Sequence, residues 1–384
     1  MIIGFDAKRA FQNKTGLGNY SRTLISSLQD HFPANQYRLF APKRSALYPI
    51  KENDSLKVIT PQWQPAKKFP SLWRSHWITR DLRQQGITLY HGLSNEIPVD
   101  MHRTGIRSVV TIHDLIFERY PQLYDTTEVL IYRWKFKHAC RKADAIIAAS
   151  THTKRDIVDL YNINPDKVHV CYQACNSAFT QPCTPETLLA IKKKYQLPEN
   201  YFLYVGSIIE RKNLLLICQA LHSMKDRLDI PLVVIGEGKT YKKKVQQWLG
   251  EQGMLDRVIF LADSTIAQND AGYRFGNDFP AIYQNARAFI YPSRYEGFGI
   301  PVLEGLHSGI PVLAAFSSSL PEAGGAAALY FEPDDALGLG DLLWKAAYDE
   351  AVRQECMQKA AQHIRQFTPG KCAAAVMQVY NSLT

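Results

Sequence analysis

Strand-like and helix-like segments alternate along all 384 residues, and that alternation leaves few architectures open. Short apolar runs bounded by turn residues read as strands, and the segments between them have helical periodicity. Such a series predicts parallel sheets covered by helices, an α/β class. In the first half the strand candidates are Ile2–Phe5, Tyr37–Phe40, Leu56–Ile59, Thr88–Tyr90, Ser108–Ile112, Ala145–Ala148 and Val168–Tyr172. Asp6–Leu17 reads as a loop, followed by a helix with Tyr20, Leu24, Leu28 and Phe32 on one face. Ser150 is placed to cap a later helix. The second series runs Phe202–Val205, Leu232–Ile235, Val258–Leu261, Ala288–Tyr291, Pro311–Ala314 and Ala328–Phe331. Between them, 173–185 is polar, holds two prolines and lacks periodicity. The chain therefore divides into 1–175, a linker at 176–185, and 186–368, with a last helix-like stretch at 369–384.

Composition narrows the class of partner. Residues 1–175 hold 25 Lys and Arg against 15 Asp and Glu, and the remainder holds 20 against 21. All of the net charge of +9 thus belongs to the first half, which calls for an anionic partner: a membrane surface, a phosphorylated lipid carrier or nucleic acid. The seven cysteines are scattered without a CxxC, which fits free thiols in a reducing cytoplasm and neither a disulfide framework nor a zinc site. No apolar run reaches the length of a membrane span. Met1–Asp6 reads as a first strand instead of a leader, so a cytoplasmic protein is expected.

The chemistry concentrates at strand ends, where open α/β sheets bind ligands. Tyr295-Glu296-Gly297-Phe298-Gly299-Ile300-Pro301 follows the strand Ala288–Tyr291 and opens a short helix, with Pro301 in its first turn and Gly309 at its end. Glu296 then precedes the helix and Glu304 lies about one turn inside it. The amides between them suit an anion, and the two carboxylates suit sugar or ribose hydroxyls. Taken alone, such a pair is also a common solvated helix cap. Val205-Gly206-Ser207-Ile208-Ile209-Glu210-Arg211-Lys212 sets two cations after another strand, where they can neutralise a diphosphate. A helix terminus contributes about 0.3–1 kcal/mol to holding an anion. Each charge-assisted hydrogen bond adds roughly 1.5–3 kcal/mol, so the cations dominate. Gly236, in Ile235-Gly236-Glu237-Gly238, ends a third strand. Gly16 and Gly18 sit in a small-residue loop opening a helix, without the GxGxxG spacing of nicotinamide sites. His113 and Asp114 end the strand Ser108–Ile112.

The wording EGFGIPVLEGLHSGIPV, with Glu296 and Glu304 separated by seven residues, resembles the signature of the retaining glycosyltransferases of family 4. The resemblance extends over nearly the whole chain, most clearly from Tyr201 to Pro333 and at Gly16. It implies the GT-B fold: two facing Rossmann-like domains with a central cleft, and a C-terminal helix that crosses back to the first domain. It implies a nucleotide-sugar donor, with GDP-mannose favoured on family frequency, held by Gly16, Gly18, Gly206, Arg211, Lys212, Gly236, Glu296, Gly297, Phe298, Gly299, Ile300 and Glu304. His113 would contact the donor sugar through its side chain or its carbonyl, and Glu304 the ribose. Relatives often place Arg directly after the glycine where this chain has Ser207, so the first cation is assigned to Arg211 and the second to Lys212. The reaction implied is same-face substitution, with Glu296, His113, Arg211 and Lys212 as the catalytic set and no metal. The polar segment Ala262–Asp278 reads as a flap beside the nucleobase or as an inserted surface loop.

The acceptor falls to the first half. Trp63–Arg83 and Tyr132–Lys137 interleave aromatic rings with cations, a pattern that suits the inner face of an anionic membrane or a partly buried helix. No nucleic-acid motif accompanies it. The expectation is a hexosyltransferase, mannose favoured, acting on a lipid-linked oligosaccharide or polysaccharide during cell-surface glycan synthesis. The rivals are another GT-B enzyme, such as a sugar-nucleotide epimerase or a phosphorylase, and a non-catalytic anionic-glycan-binding module.

Overall fold

The computed structural model describes residues Met1–Thr384. They form two compact units, one of Met1–Ala174 with Phe367–Thr384 and the other of Cys175–Gln366.

The first unit holds a seven-stranded sheet: β1 (Ile2–Asp6), β2 (Gln36–Phe40), β3 (Leu56–Ile59), β4 (Leu89–Gly92), β5 (Arg107–Ile112), β6 (Ala145–Ala148) and β7 (Val168–Val170). The order is β3-β2-β1-β4-β5-β6-β7 and every pairing is parallel, with Phe5 set against Leu39 on one side and His91 on the other. Chain order reverses between β1 and β4. Both faces are covered: Ile3, Phe5 and Leu39 enter one apolar cluster, and Phe40, Tyr90 and Val110 the other. Burial on both faces is why these strands read as continuous apolar runs instead of alternating ones. The helix Gly16–His31 buries Tyr20, Leu24 and Leu28, and the helix Pro369–Asn381 lays Ala373, Val376, Met377 and Tyr380 into the same cluster. Ser150 caps the helix Thr151–Tyr161 by accepting from the Thr153 amide.

The sequence reading needs correction at Asp6–Leu17. It is not all loop, because Lys8–Gln12 forms a helical turn that buries Ala10 and Phe11.

The second unit has six strands, β8 (Phe202–Val205), β9 (Leu232–Ile235), β10 (Val258–Phe260), β11 (Ala288–Tyr291), β12 (Val312–Ala315) and β13 (Leu329–Phe331). Their order is β10-β9-β8-β11-β12-β13, again all parallel, and here the reversal falls between β8 and β11. Segment 176–185 packs on this unit: Phe179 is buried with its ring 5.2 Å from that of Tyr283, and the Cys183 amide donates to Gln284. Ala262–Asp278 is not an irregular loop. It folds into helices Thr265–Asn269 and Ala271–Phe275, tied down by Lys194, which lies 2.7 Å from both Asp270 and Asp278. The Tyr195 hydroxyl donates to the same two carboxylates.

Candidate active site

Two motifs meet where the second sheet reverses. After β8 the chain turns through Gly206 (φ +156°), and the turn Glu210–Lys212 presents two cations. Gly206 lies back to back with Gly236 (φ +154°), where an added Cβ would lie 1.9 Å from the Gly206 carbonyl. After β11 the chain turns through Ser293 to Glu296. The Arg211 guanidinium lies 2.8 Å from Glu296 Oε1 and the Lys212 ammonium 3.0 Å from the same atom. Ser293 Oγ (2.6 Å) and the Tyr291 hydroxyl (3.2 Å) donate to it as well. Lys212 also donates to the Tyr291 hydroxyl, and Arg211 to the Tyr295 carbonyl.

Four donors thus converge on one carboxylate oxygen, and Oε2 makes no bond within the protein. Burial alone would raise the Glu296 pKa; the charges of Lys212 and Arg211 and the Ser293 hydroxyl outweigh it and hold it at about 2.

The helix Ile300–His307 starts beside this cluster. Pro301 occupies its first turn and Gly309 (φ +70°) follows its end. Gly299 takes φ +126°, and a Cβ there would lie 3.0 Å from Leu320. The residues 297–299 are buried. Gly299 is the N-cap of this helix, whose first amides have no acceptor within the helix itself, which suits an incoming anion. A run of serines fixes the turn: Ser318 Oγ accepts from the Glu296 amide, Ser319 Oγ donates to the carbonyls of Glu296 and Phe298, and Ser317 Oγ to that of Ser293. Inside the helix, burial pushes the Glu304 carboxyl up to about 7, against the Tyr283 hydroxyl that donates to it at 3.1 Å.

The first unit arranges its residues differently. Gly18 belongs to the backbone: its amide donates to Thr15 and Asn13, and a Cβ would lie 1.9 Å from the Asn13 carbonyl. Gly16 has open space around it, and its N–H has no acceptor in the protein. His113 turns inward. Its Nε2 donates to the Leu93 carbonyl at 2.8 Å, its Nδ1 lies 3.0 Å from the Gln173 amide nitrogen, and its ring packs edge-on to Tyr20. Burial pulls its pKa down to about 4, so it is neutral. The expected side-chain contact between His113 and a donor sugar therefore has no free ring nitrogen to make it. Asp114 steadies the following turn by accepting from the Ile116 amide.

Comparisons with known proteins give the family and the fold. The family profile described as Glycosyltransferase Family 4 matches residues 15–178, and that of Glycosyl transferases group 1 matches 189–363. The chain belongs to glycosyltransferase family 4. It is similar to O-antigen chain mannosyltransferase B of Escherichia coli, at 29% identity over 313 residues, covering 81% of this chain and 77% of the relative. Among solved structures, HepE of Anabaena in complex with UDP superposes with a TM-score of 0.74 over 100% of both chains at 14% identity. WaaG, a glycosyltransferase involved in lipopolysaccharide biosynthesis, does so with a TM-score of 0.70, over 97% of this chain and 98% of that one, at 17% identity. Those two likenesses establish the GT-B fold.

Several residues of this glycosyltransferase's site escape a reading of the sequence. Ser293 and Tyr291 close the shell of Glu296, and Tyr283 supplies the partner of Glu304. The strand-end position of Tyr291 is the signal that could have found one of them. In the first unit, Arg74 sits where the sheet reverses. It ion-pairs with Asp6 at 2.6 Å and Glu96 at 2.5 Å, and Glu96 in turn pairs with Lys135.

Proposed function

We propose that this glycosyltransferase moves a mannosyl residue from GDP-mannose to a lipid-linked oligosaccharide or polysaccharide acceptor in cell-surface glycan synthesis, with the anomeric configuration retained and without a divalent ion. The observation that carries the reading is the three-charge cluster: Arg211 and Lys212 on one oxygen of Glu296, with the other oxygen open. The two cations and the first-turn amides of the helix Ile300–His307 together suit a diphosphate. Glu296 Oε2 would accept from donor-sugar hydroxyls and steady positive charge growing at the anomeric carbon. Glu304 would accept from the ribose.

The bond from the anomeric carbon to the phosphate oxygen breaks, and the acceptor oxygen bonds to the same face. The departing phosphate oxygen takes the acceptor's proton, while Arg211 and Lys212 stabilise the diphosphate as its charge develops. Mannose as the transferred sugar is supported by the name of the Escherichia coli relative.

A panel of GDP-mannose, UDP-glucose and their nucleoside diphosphates, scored by thermal shift, tests the donor. GDP-mannose and GDP are expected to raise the melting temperature most. A shift with the uridine nucleotides alone would replace the donor, and a shift with none of them would remove the reading altogether.

A further inference from the structure

The helix Thr126–Lys142 is apolar on two faces. Its inner face packs Tyr132 and Phe136 against Phe117, with ring centroids 5.8 and 4.9 Å apart. Its outer face carries Leu130, Ile131 and Trp134, which are 57%, 53% and 56% exposed. Spacings of three and four residues put these side chains on one helical turn, so they form a patch.

A second exposed set lies in the helical segments at 64–77: Phe69 and Leu72, with the Trp63 ring tilted against that of Trp77, centroids 4.9 Å apart. The loop after β4 touches both sets of elements. Its Val99 amide donates to the Ser75 carbonyl, and its Val99 carbonyl accepts from His138. Its Glu96 pairs with Arg74 on one side and Lys135 on the other. The two apolar sets therefore border one loop.

Their composition differs from what the sequence pattern alone picks out. Trp73 is fully buried and donates its indole N–H to Asp81, and Tyr132 and Phe136 face inward. Leu72, Leu130 and Ile131 carry the exposed apolar surface instead. Cations flank it: Lys67 and Lys68 are exposed, Lys68 lies 5.8 Å from the Phe69 ring, and Arg141 and Lys142 end the helix. Of the acids nearby, Glu118 pairs with Arg133 and Glu96 with Arg74, while Glu128, one turn before Ile131, is exposed.

We infer that this surface docks the first unit on an anionic lipid bilayer, with Leu130, Ile131, Trp134, Phe69 and Leu72 entering the interface and the lysines facing lipid headgroups. Charge selects this occupant. Residues 1–175 carry an excess of ten cations, which favours anionic lipid and opposes pairing with a second, equally basic copy. No helix is long and apolar enough to cross a membrane, so the contact lies along the surface. An acceptor carried on lipid would meet the enzyme there.

Vesicle sedimentation of the full chain without nucleotide tests the surface separately from the donor reading. Binding to phosphatidylglycerol-rich vesicles at low salt is expected, at least ten-fold tighter than to phosphatidylcholine vesicles, and weakened by 0.5 M salt. The combined substitution Leu130→Ser, Ile131→Ser and Trp134→Ser should cut binding about ten-fold or more. Lys67→Glu with Lys68→Glu should remove most of the preference for anionic lipid, since each cation near the surface is worth roughly a five-fold change. Both variants should keep the wild-type melting temperature. Failure of the wild type to sediment at low salt would overturn the inference. So would unchanged binding by the serine variant, or a dimer in light scattering that the serine variant dissolves, which would give the face to a second copy.

Discussion

The two sheets reverse their strand order at equivalent points, and the charges assembled there differ. In the first unit Asp6 at the end of β1, Arg74, Glu96 and Lys135 pair among themselves and sum to zero. In the second, Arg211 and Lys212 share a single carboxylate, and one oxygen of that carboxylate stays open. The first arrangement is complete without a ligand. The second gathers two cations on one carboxylate oxygen in a partly dry site, where they attract an anion more strongly than they would in water. The difference teaches that the architecture supplies a place for a site, while charge balance decides which copy of that place works as one.

Glu296→Gln should have the largest effect on this contrast. Removing the carboxylate charge leaves Arg211 and Lys212 without their anionic partner, so the free protein should melt at a lower temperature. A nucleoside diphosphate should restore it and bind roughly ten-fold tighter than to wild type, because the cations no longer share their charge. Transfer should fall by about 100-fold or more, as expected on losing electrostatic support for the reacting centre. Titration calorimetry and steady-state kinetics read the two effects separately. Unchanged nucleotide affinity would mean that Glu296 does not compete with the diphosphate for these cations. The same residue sets an acid limit: a carboxylate held at about 2 contributes stability above the ordinary carboxylate range and loses it as pH falls through about 2.

Glu304→Gln sharpens the contrast within the second unit, where two glutamates eight positions apart have opposite shifts. Burial holds the Glu304 carboxyl protonated up to about pH 7, so the native state keeps a proton that the unfolded chain has released. Its contribution to stability is present below the ordinary carboxylate pKa and is lost as pH rises through about 7. The Gln variant should flatten the stability profile between about pH 4.5 and 7. If the ionised carboxylate holds the ribose, wild-type affinity for a nucleoside diphosphate should rise severalfold from pH 6 to 8, and that step should vanish in the variant. A profile that survives the substitution would assign the proton to another group.

Most of the architecture is legible in the residues, because parallel strands buried on both faces leave apolar runs that survive without context. Every strand was expected within a residue or two of its place, and so were the helix starts at Ser150 and Pro301. The charged members of the second site were also legible, since Arg211, Lys212 and Glu296 each follow directly on a strand. What the sequence hides is direction. His113 ends a strand as a ligand-binding histidine might be expected to, yet it points back at Leu93 and Gln173, partners 20 and 60 positions away. Trp73 lies in a cationic, aromatic stretch and still turns into the core, because Asp81 offers its indole an acceptor. The folding of Ala262–Asp278 depends on Lys194 and Tyr195, which lie far outside that segment. For His113 and for Ala262–Asp278 the deciding partners are distant in the chain, and local pattern carries no trace of them.

Tyr380→Phe probes the closed side of the comparison and should have the smallest effect. The Tyr380 hydroxyl lies 2.6 Å from His91 Nδ1, His91 Nε2 lies 2.8 Å from Thr111 Oγ1, and Thr111 Oγ1 lies 3.0 Å from the Tyr20 hydroxyl. Burial pulls the His91 pKa down to about 3, so the ring is neutral and one nitrogen must accept while the other donates. Removing the hydroxyl leaves His91 Nδ1 buried without a partner, at a cost of about 1–3 kcal/mol. The terminal helix Pro369–Asn381 keeps Ala373, Val376 and Met377 in the core, so it should stay docked. A melting temperature lowered by a few degrees, with the affinity for nucleoside diphosphate unchanged, is the outcome expected of a network that serves the fold alone. A matching loss of nucleotide affinity would show that the first unit's buried chain of hydroxyls and imidazoles reaches the donor after all, and the division between a closed and an open switch point would no longer hold.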